Sequence, residues 1–204
     1  DMMNWERVGN ALDILEYERP GALSEVRRVL WKDIWAPEVI YDPDTELYYM
    51  FFSATPQEEN NVTIGKGVLA GHATEMPFVA VSKRPDRDFQ LVNFMDEASC
   101  GKENLHNYNT KAGLKDKNGE YINAYPHYYA KYLLFDPTLY KAFSDANGGY
   151  RGAAKGGFEG GIDPHPYVDE NGDKYLFWVK SGGADRIAVV KMENWLKPDW
   201  STAK

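Results

Sequence analysis

The chain has 204 residues, and its 23 basic against 31 acidic side chains give a formal net charge of −8. Nucleic acids and anionic membranes attract basic surfaces, so this charge argues against either as a partner. A single cysteine, Cys100, excludes an internal disulfide, and no apolar run approaches the roughly 18 residues of a membrane-spanning helix.

The aromatic content is high, with 14 Tyr, 9 Phe and 6 Trp. Large rings fit the pleated, half-buried surface of a β-rich core. They also pack on the apolar faces of sugar rings, so a carbohydrate-stacking cleft is the second interpretation. Composition favours the core and leaves both interpretations open.

Residues 1–30 are predicted to be the end of one structural unit and a connection to the next. Asp1–Trp5 has neither the basic region nor the apolar region of a signal peptide. Its Met2-Met3-Asn4-Trp5 corresponds to Met192-Glu193-Asn194-Trp195, which follows a predicted strand. We therefore expect both ends of the chain to be cuts through a larger domain, with any signal peptide upstream.

Two segments of the chain are related by an internal repeat. Ala36–Phe52 aligns without a gap on Asp163–Val179, and each copy has the pattern of a strand, an acidic turn and an aromatic strand. The turns contain the acidic residues Asp42, Asp44, Asp169 and Asp173. A third strand is predicted at Phe78–Ser82 in the first copy and at Arg186–Val190 in the second.

Four-stranded units repeated along a chain are typical of β-propeller blades. We therefore predict an all-β fold with a blade at residues 31–96 and the start of another at 161–204. Residues 1–30 would then hold the end of a preceding blade. The chain would supply about two and a half blades of a partial propeller.

Residues 97–160 separate the two copies and lack strand alternation. Short helices are predicted at Tyr125–Phe135 and Pro137–Phe143, followed by a glycine-rich return. A long insertion in a compact domain is usually a functional lid or a disordered segment, and the many aromatic residues argue against disorder. We predict that this insertion folds over the opening of the propeller and narrows the choice of substrate.

The motifs Trp35–Val39 and Tyr48–Ser53, followed in order by Ile162–Pro164 and Tyr175–Trp178, resemble glycoside hydrolase family 43. The resemblance covers residues 1 to about 95 and 160 to 200. It implies a five-bladed β-propeller that acts on arabinose- and xylose-containing polysaccharides.

The family resemblance further implies an inverting mechanism with three acidic residues. A general base and a general acid stand roughly 6.5–9.5 Å apart, which leaves room for the attacking water. A third carboxylate raises the pKa of the acid by like-charge repulsion. Asp163 matches this pKa modulator, whereas the base is expected before Asp1 and the acid beyond Lys204.

By resemblance, Trp35 and Ala36 in one motif and Ile162 in the other wall the pocket for the terminal sugar, with the indole as a stacking face. Packing between blades is an equal alternative for Trp35. Fructan-acting enzymes, another five-bladed family, expect Arg where this chain has Ile162, so that family ranks lower.

Three further residues are candidates for substrate binding. Glu38 faces the central funnel or pairs with a basic neighbour, and His165 binds a sugar hydroxyl or packs in the structure. Glu159, flanked by glycines, approaches a ligand or is a solvated loop carboxylate. A carbohydrate-binding propeller without catalysis is therefore a second hypothesis for the function.

No cofactor is predicted, because the remaining histidines His72, His106 and His127 show no ligand spacing for zinc. A central calcium ion stays open but has no support in this chain. The expected partners are an oligosaccharide or polysaccharide substrate and the remaining blades of the same polypeptide. The compartment is unknown, with a secreted or periplasmic location favoured.

Overall fold

The computed structural model describes residues 9–12, 16–19, 27–58, 76–106, 131–147, 161–180 and 186–204. These residues form two antiparallel sheets in which the strands lie in chain order. The first sheet contains β1 (Glu16–Arg19), β2 (Arg27–Asp42), β3 (Leu47–Glu58), β4 (Met76–Ser82) and β5 (Gln90–Leu91). The second contains β6 (Gly161–Val168), β7 (Lys174–Lys180), β8 (Arg186–Asn194) and β9 (Lys197–Asp199).

Both sheets have the up-and-down strand order of propeller blades, which confirms the prediction of an all-β, partial propeller fold. The predicted third strands are β4 and β8. The second sheet is a complete set of four strands. The end of a preceding blade and a connection are predicted in residues 1–30, of which residues 1–8, 13–15 and 20–26 lie outside the described residues. In the described part, β1 and the start of β2 belong to the first sheet.

The strand β3 is buried on both faces. Tyr49 and Phe51 belong to a core shared with the second sheet, whereas Met50, Phe52 and Ala54 belong to a separate core on the other side of the first sheet. Successive side chains of a strand point to opposite faces, so a continuous aromatic and apolar run fits a strand covered on both sides. The predicted buried strand is confirmed.

The two β-hairpins of the repeat differ by one residue. Asp42 pairs with Leu47 around a four-residue turn, whereas Val168 pairs with Lys174 around a turn of five residues. The second strand of the later copy is therefore shifted by one residue relative to the gap-free alignment. The inner strands β2 and β6 keep their correspondence, and they lie beside each other where the sheets meet.

The insertion leaves the first sheet directly after its outermost strand, β5. The Val92 N–H donates to the Val79 carbonyl, at 3.1 Å, and the chain then turns away. At the next positions of β4, Leu133 bridges Phe78 and the Leu134 N–H donates to the Pro77 carbonyl, at 3.1 Å. The far side of the insertion thus completes the strand that β5 begins.

Two helices are described in the insertion, α1 (Glu97–Cys100) and α2 (Pro137–Ala146). The helix predicted from Pro137 is confirmed. The helix predicted at 125–135 is wrong over its described part, 131–135, because this backbone forms a short 3-10 turn and then pairs with β4. Residues 125–130 lie outside the described residues.

The returning part of the insertion packs into the core between the sheets. The ring of Phe135 lies 4.8 Å from that of Trp178 and 5.1 Å from that of Trp200, and Tyr140 and Phe143 surround the same two indoles. These aromatic residues therefore belong to the core that the two sheets share. The lid predicted over the propeller opening stays a prediction for residues 107–130 and 148–160, which are outside the described part of the chain.

A buried ion pair joins the two hairpins. Lys174 Nζ lies 3.0 Å from Asp42 Oδ1 and 3.1 Å from Asp44 Oδ2, and the Asp42 side chain is only 1% exposed. Burial lowers the pKa of Lys174, but the hydrogen bonds to both carboxylates outweigh it and raise that pKa overall. Asp42 is predicted to lie in the turn, but it is the last residue of β2, where its carboxylate accepts from the Asp44 N–H of the turn and also links the sheets.

None of the helices in the described ranges is long and apolar enough to span a bilayer.

Candidate functional site

The same bulge interrupts both inner strands. The register of β2 on β3 shifts between Trp35 and Glu38, and that of β6 on β7 shifts between Ile162 and His165. An Xaa-Pro pair lies within each shift, and proline has no N–H to donate to the ladder. The two copies of the sequence repeat therefore share the same backbone bulge at their Xaa-Pro pairs.

The residue before each proline has a positive φ, 46° at Ala36 and 54° at Asp163. Residues other than glycine rarely adopt such angles, since Cβ approaches the backbone closely. Strained backbone of this kind is concentrated at functional sites. Positive φ angles also occur at Glu46 and Asp88, but only Ala36 and Asp163 combine one with a bulge of an inner strand, and these two bulges are the candidate site.

Asp163 is held from the first sheet. Its backbone N–H donates to Ser53 Oγ at 2.9 Å, across 110 positions of sequence. Ser53 is completely buried on β3, whereas the side chain of Asp163 is exposed. A buried anchor and a strained φ thus present this carboxylate to the solvent side of the site.

Glu38 and His165 occupy equivalent positions in the two copies and meet across the sheets. Glu38 Oε2 lies 2.7 Å from His165 Nδ1, while the two side chains remain 42% and 53% exposed. The contact with Glu38 engages Nδ1 of the imidazole ring and leaves Nε2 on the other side of the ring. Of the alternatives for Glu38, the structure has it paired with a basic neighbour while still accessible.

The other predicted site residues differ in their surroundings. Trp35 is 51% exposed among the described residues. Ile162 is half-buried and pairs with Val179. Glu159 lies outside the described residues.

An exposed aromatic surface continues from His165 along the second sheet. The His165 ring lies 6.3 Å from Phe177, and Tyr167 meets the same ring edge-on at 6.2 Å. Tyr167 is 47% exposed. These rings place apolar surface beside the hydrogen-bonding groups of Glu38 and His165, and this combination suits the faces and hydroxyls of a sugar.

Sequence reasoning missed Ser53, Phe177 and Tyr167 as members of this region. Ser53 had one signal, because it is the first polar side chain after an unbroken aromatic and apolar run from Leu47. A buried hydroxyl is costly unless a hydrogen bond satisfies it, so its position at the end of a buried strand already implied a partner.

Within the ranges that the structure describes, no group of three or more His, Cys, Asp or Glu side chains is arranged to hold a metal ion. The described site thus consists of carboxylate, imidazole, hydroxyl and aromatic groups.

Comparison with solved structures places glycoside hydrolases among the similar folds. An endo-1,4-β-xylanase from Bacteroides thetaiotaomicron is 17% identical, with 85% of this chain and 33% of that chain covered and a TM-score of 0.42. A thermostable family-43 glycoside hydrolase is 21% identical, with 82% and 33% covered and a TM-score of 0.40. A family-43 β-1,3-galactosidase solved with galactodeoxynojirimycin is 17% identical, with 97% and 49% covered and a TM-score of 0.45.

The chain spans between a third and about half of the length of these three proteins. No protein-family profile and no curated protein sequence matches it.

Proposed function

We propose that this chain is part of a family 43-like glycoside hydrolase that cleaves arabinofuranosyl or xylosyl linkages in plant polysaccharides with inversion. The observation that carries the proposal is the placement of Asp163. The residue that the sequence resemblance designates as pKa modulator stands exposed on a strained bulge, anchored by Ser53. It lies two positions along the same strand from His165, at the contact with Glu38.

In this proposal Asp163 acts on a general acid rather than on the substrate. Its negative charge disfavours ionisation of a neighbouring acid, so the acid keeps its proton to higher pH and can protonate the leaving oxygen. The base and the acid would come from blades outside these 204 residues. The remaining blades of the same polypeptide are therefore the proposed structural partner.

The substrate would be held by the groups around Asp163. Trp35 offers an exposed indole for stacking on a sugar ring, with Ala36 and Ile162 beside it on the two inner strands. The Glu38 carboxylate and His165 Nε2 are placed to hydrogen-bond hydroxyl groups. Glu159 is retained as a further binding residue on the basis of the sequence alone.

The test uses the full-length natural protein with nitrophenyl arabinofuranoside and xyloside, arabinan and xylan. We expect the protein to release a sugar with inverted anomeric configuration. NMR spectra recorded during the reaction measure that configuration. Asp163→Asn should lower kcat by about 100-fold or more, within the range for groups that assist proton transfer. Glu170→Gln, an exposed turn acid of the same hairpin, is the matched control and should leave kcat unchanged.

A carbohydrate-binding propeller without catalysis is the second candidate, favoured by the exposed rings around Phe177. Calorimetry with arabino- and xylo-oligosaccharides separates the two. Binding without sugar release on any substrate would replace the hydrolase by the binding protein. Absence of both would contradict each proposal.

A further inference from the structure

Ser53 is a buried polar residue whose observed partner belongs to the other sheet. It has no exposed surface, and it follows the apolar run of β3. The Asp163 N–H reaches its Oγ at 2.9 Å. Because an unpaired buried hydroxyl is costly, this contact stabilises the meeting of the sheets as well as the residue that donates to it.

The Asp163 N–H has no acceptor in its own ladder. The pairing of β6 with β7 jumps from Ile162 opposite Val179 to His165 opposite Phe177, so the residues between them fall in the bulge. Pro164 offers no N–H, and the φ of 54° turns Asp163 away from the strand direction. A donor displaced in this way needs a partner from elsewhere, and Ser53 supplies it.

Ser53 also stands at the other bulge. It pairs directly with Trp35, the last residue of β2 before the register shift that contains Ala36. Through its backbone on one side and its hydroxyl on the other, Ser53 therefore contacts both the strand that presents the indole and the strand that presents the carboxylate.

We propose that Ser53 is a positioning residue for Asp163, an inference that rests on the proposed hydrolase function. By fixing the backbone N–H, Ser53 fixes the direction in which the Asp163 side chain leaves the strand. The effect of one charge on the pKa of another falls with their separation, so a displaced carboxylate raises the pKa of the acid less. Loss of the anchor should therefore mimic a weaker form of Asp163→Asn.

The variants are Ser53→Ala, which removes the acceptor, and Ser53→Thr, which keeps it. Ser82→Ala is the matched control, because Ser82 is also buried in the first sheet, donates to the Arg87 carbonyl at 2.7 Å and accepts from the Arg84 N–H at 3.0 Å. If Ser53→Ala does not fold, Ser53→Cys takes its place, since a thiol fills nearly the same volume and is a weak acceptor.

Three results are expected in the full-length protein. Ser53→Ala should lower kcat by about 10- to 100-fold, as for other small misplacements of reacting groups, and Ser53→Thr should restore most of it. The alkaline limb of the kcat profile should move to lower pH in Ser53→Ala, in the direction of Asp163→Asn, and stay in place in Ser82→Ala. In the Asp163→Asn background, Ser53→Ala should lower kcat only a little further, because both changes act through one carboxylate.

The inference is overturned if Ser53→Ala leaves the alkaline limb of the kcat profile at the same pH. It is also overturned if the loss of kcat in the double variant equals the product of the fold losses in Ser53→Ala and Asp163→Asn. Hydrogen exchange of the Asp163 amide, measured on the same samples, separates this failure from failure of the proposed function. Protection at that amide should fall about tenfold in Ser53→Ala and stay unchanged in Ser82→Ala. With an inactive wild type, the function is wrong and this exchange result alone decides whether Ser53 holds Asp163; unchanged protection means that it does not.

Discussion

The two sheets carry the same bulge at equivalent positions, but the side chains on it differ. The first sheet has Ala36 at the strained position and the second has Asp163, with φ angles of 46° and 54°. Two residues further on, Glu38 in one copy meets His165 in the other at 2.7 Å. The two copies therefore share the bulged backbone. The residues that differ between the copies place different chemical groups at one contact between the sheets.

The sheets differ also in how their last strands are built. In the second sheet β9 follows β8 directly, whereas the strand that β5 begins in the first sheet is interrupted after Val92 and completed by Leu133. The returning segment then packs on the second sheet through Phe135. The insertion is thus part of the structural contact between the copies.

The largest expected effect comes from removing that contact. Phe135→Ala should lower the free energy of unfolding by about 3–5 kcal/mol, because a buried ring is lost among three other rings. Leu139→Ala, on the same segment but 48% exposed, should change it by less than about 0.5 kcal/mol. Urea denaturation measures both. Equal small effects would mean that the insertion is not part of the core.

The second largest effect distinguishes a buried ion pair, Lys174 with Asp42, from a half-exposed one, Lys191 with Asp173. Lys174→Met leaves Asp42 buried without its cation and should cost about 3 kcal/mol. Lys191→Met removes the partner of Asp173, 2.7 Å away, where both side chains are about 40% exposed, and should leave the melting temperature nearly unchanged. A large loss for Lys191→Met, or none for Lys174→Met, would contradict the difference in burial.

A smaller effect tests the shared strain. Ala36→Gly and Asp163→Gly should each raise the free energy of unfolding by about 0.5–1 kcal/mol, because glycine relieves the positive φ at some entropic cost. Only Asp163→Gly should abolish sugar release. Ala98→Gly in the exposed helix α1 is the control and should destabilise the protein by up to about 1 kcal/mol. Destabilisation in all three variants would argue against strain at the bulges.

The smallest effect is the pH dependence of the insertion contact. His106 Nε2 lies 3.0 Å from the Leu133 carbonyl, and burial lowers the pKa of the imidazole below its usual 6.5. The folded state thus binds fewer protons than the unfolded state between these two pKa values. Full stability is present above pH 6.5 and declines as the pH falls towards the folded pKa, with a slope below about 1.4 kcal/mol per pH unit.

Thermal denaturation from pH 7.5 to 5 measures this decline, and His106→Gln should reduce its slope, because glutamine can donate to the same carbonyl without titrating. His165→Gln, at the exposed pair with Glu38, is the comparison variant. An unchanged slope in His106→Gln would assign the pH dependence to other groups.

Much of the fold was predictable from local pattern. The aromatic run at Leu47–Phe52, the acidic turns and the recurrence of an Xaa-Pro pair predict strands, hairpins and their repetition, because alternation and turn preferences act over a few residues. The helix expected at 125–135 was wrong at its end. An apolar stretch of that length fits a helix or a strand, and here its pairing with β4 decides between them.

By itself, the sequence determined that the chain is β-rich, that it contains two related hairpins, and that Asp163 and Ala36 each precede the proline of their copy. Only the tertiary structure decided that Ser53 anchors Asp163, that Glu38 meets His165, and that Lys174 buries its charge against Asp42. Each of these contacts joins residues more than 100 positions apart, whereas propensity and periodicity describe neighbours in the chain. Such contacts form because the two sheets pack face against face, and the packing depends on the whole set of buried side chains at once.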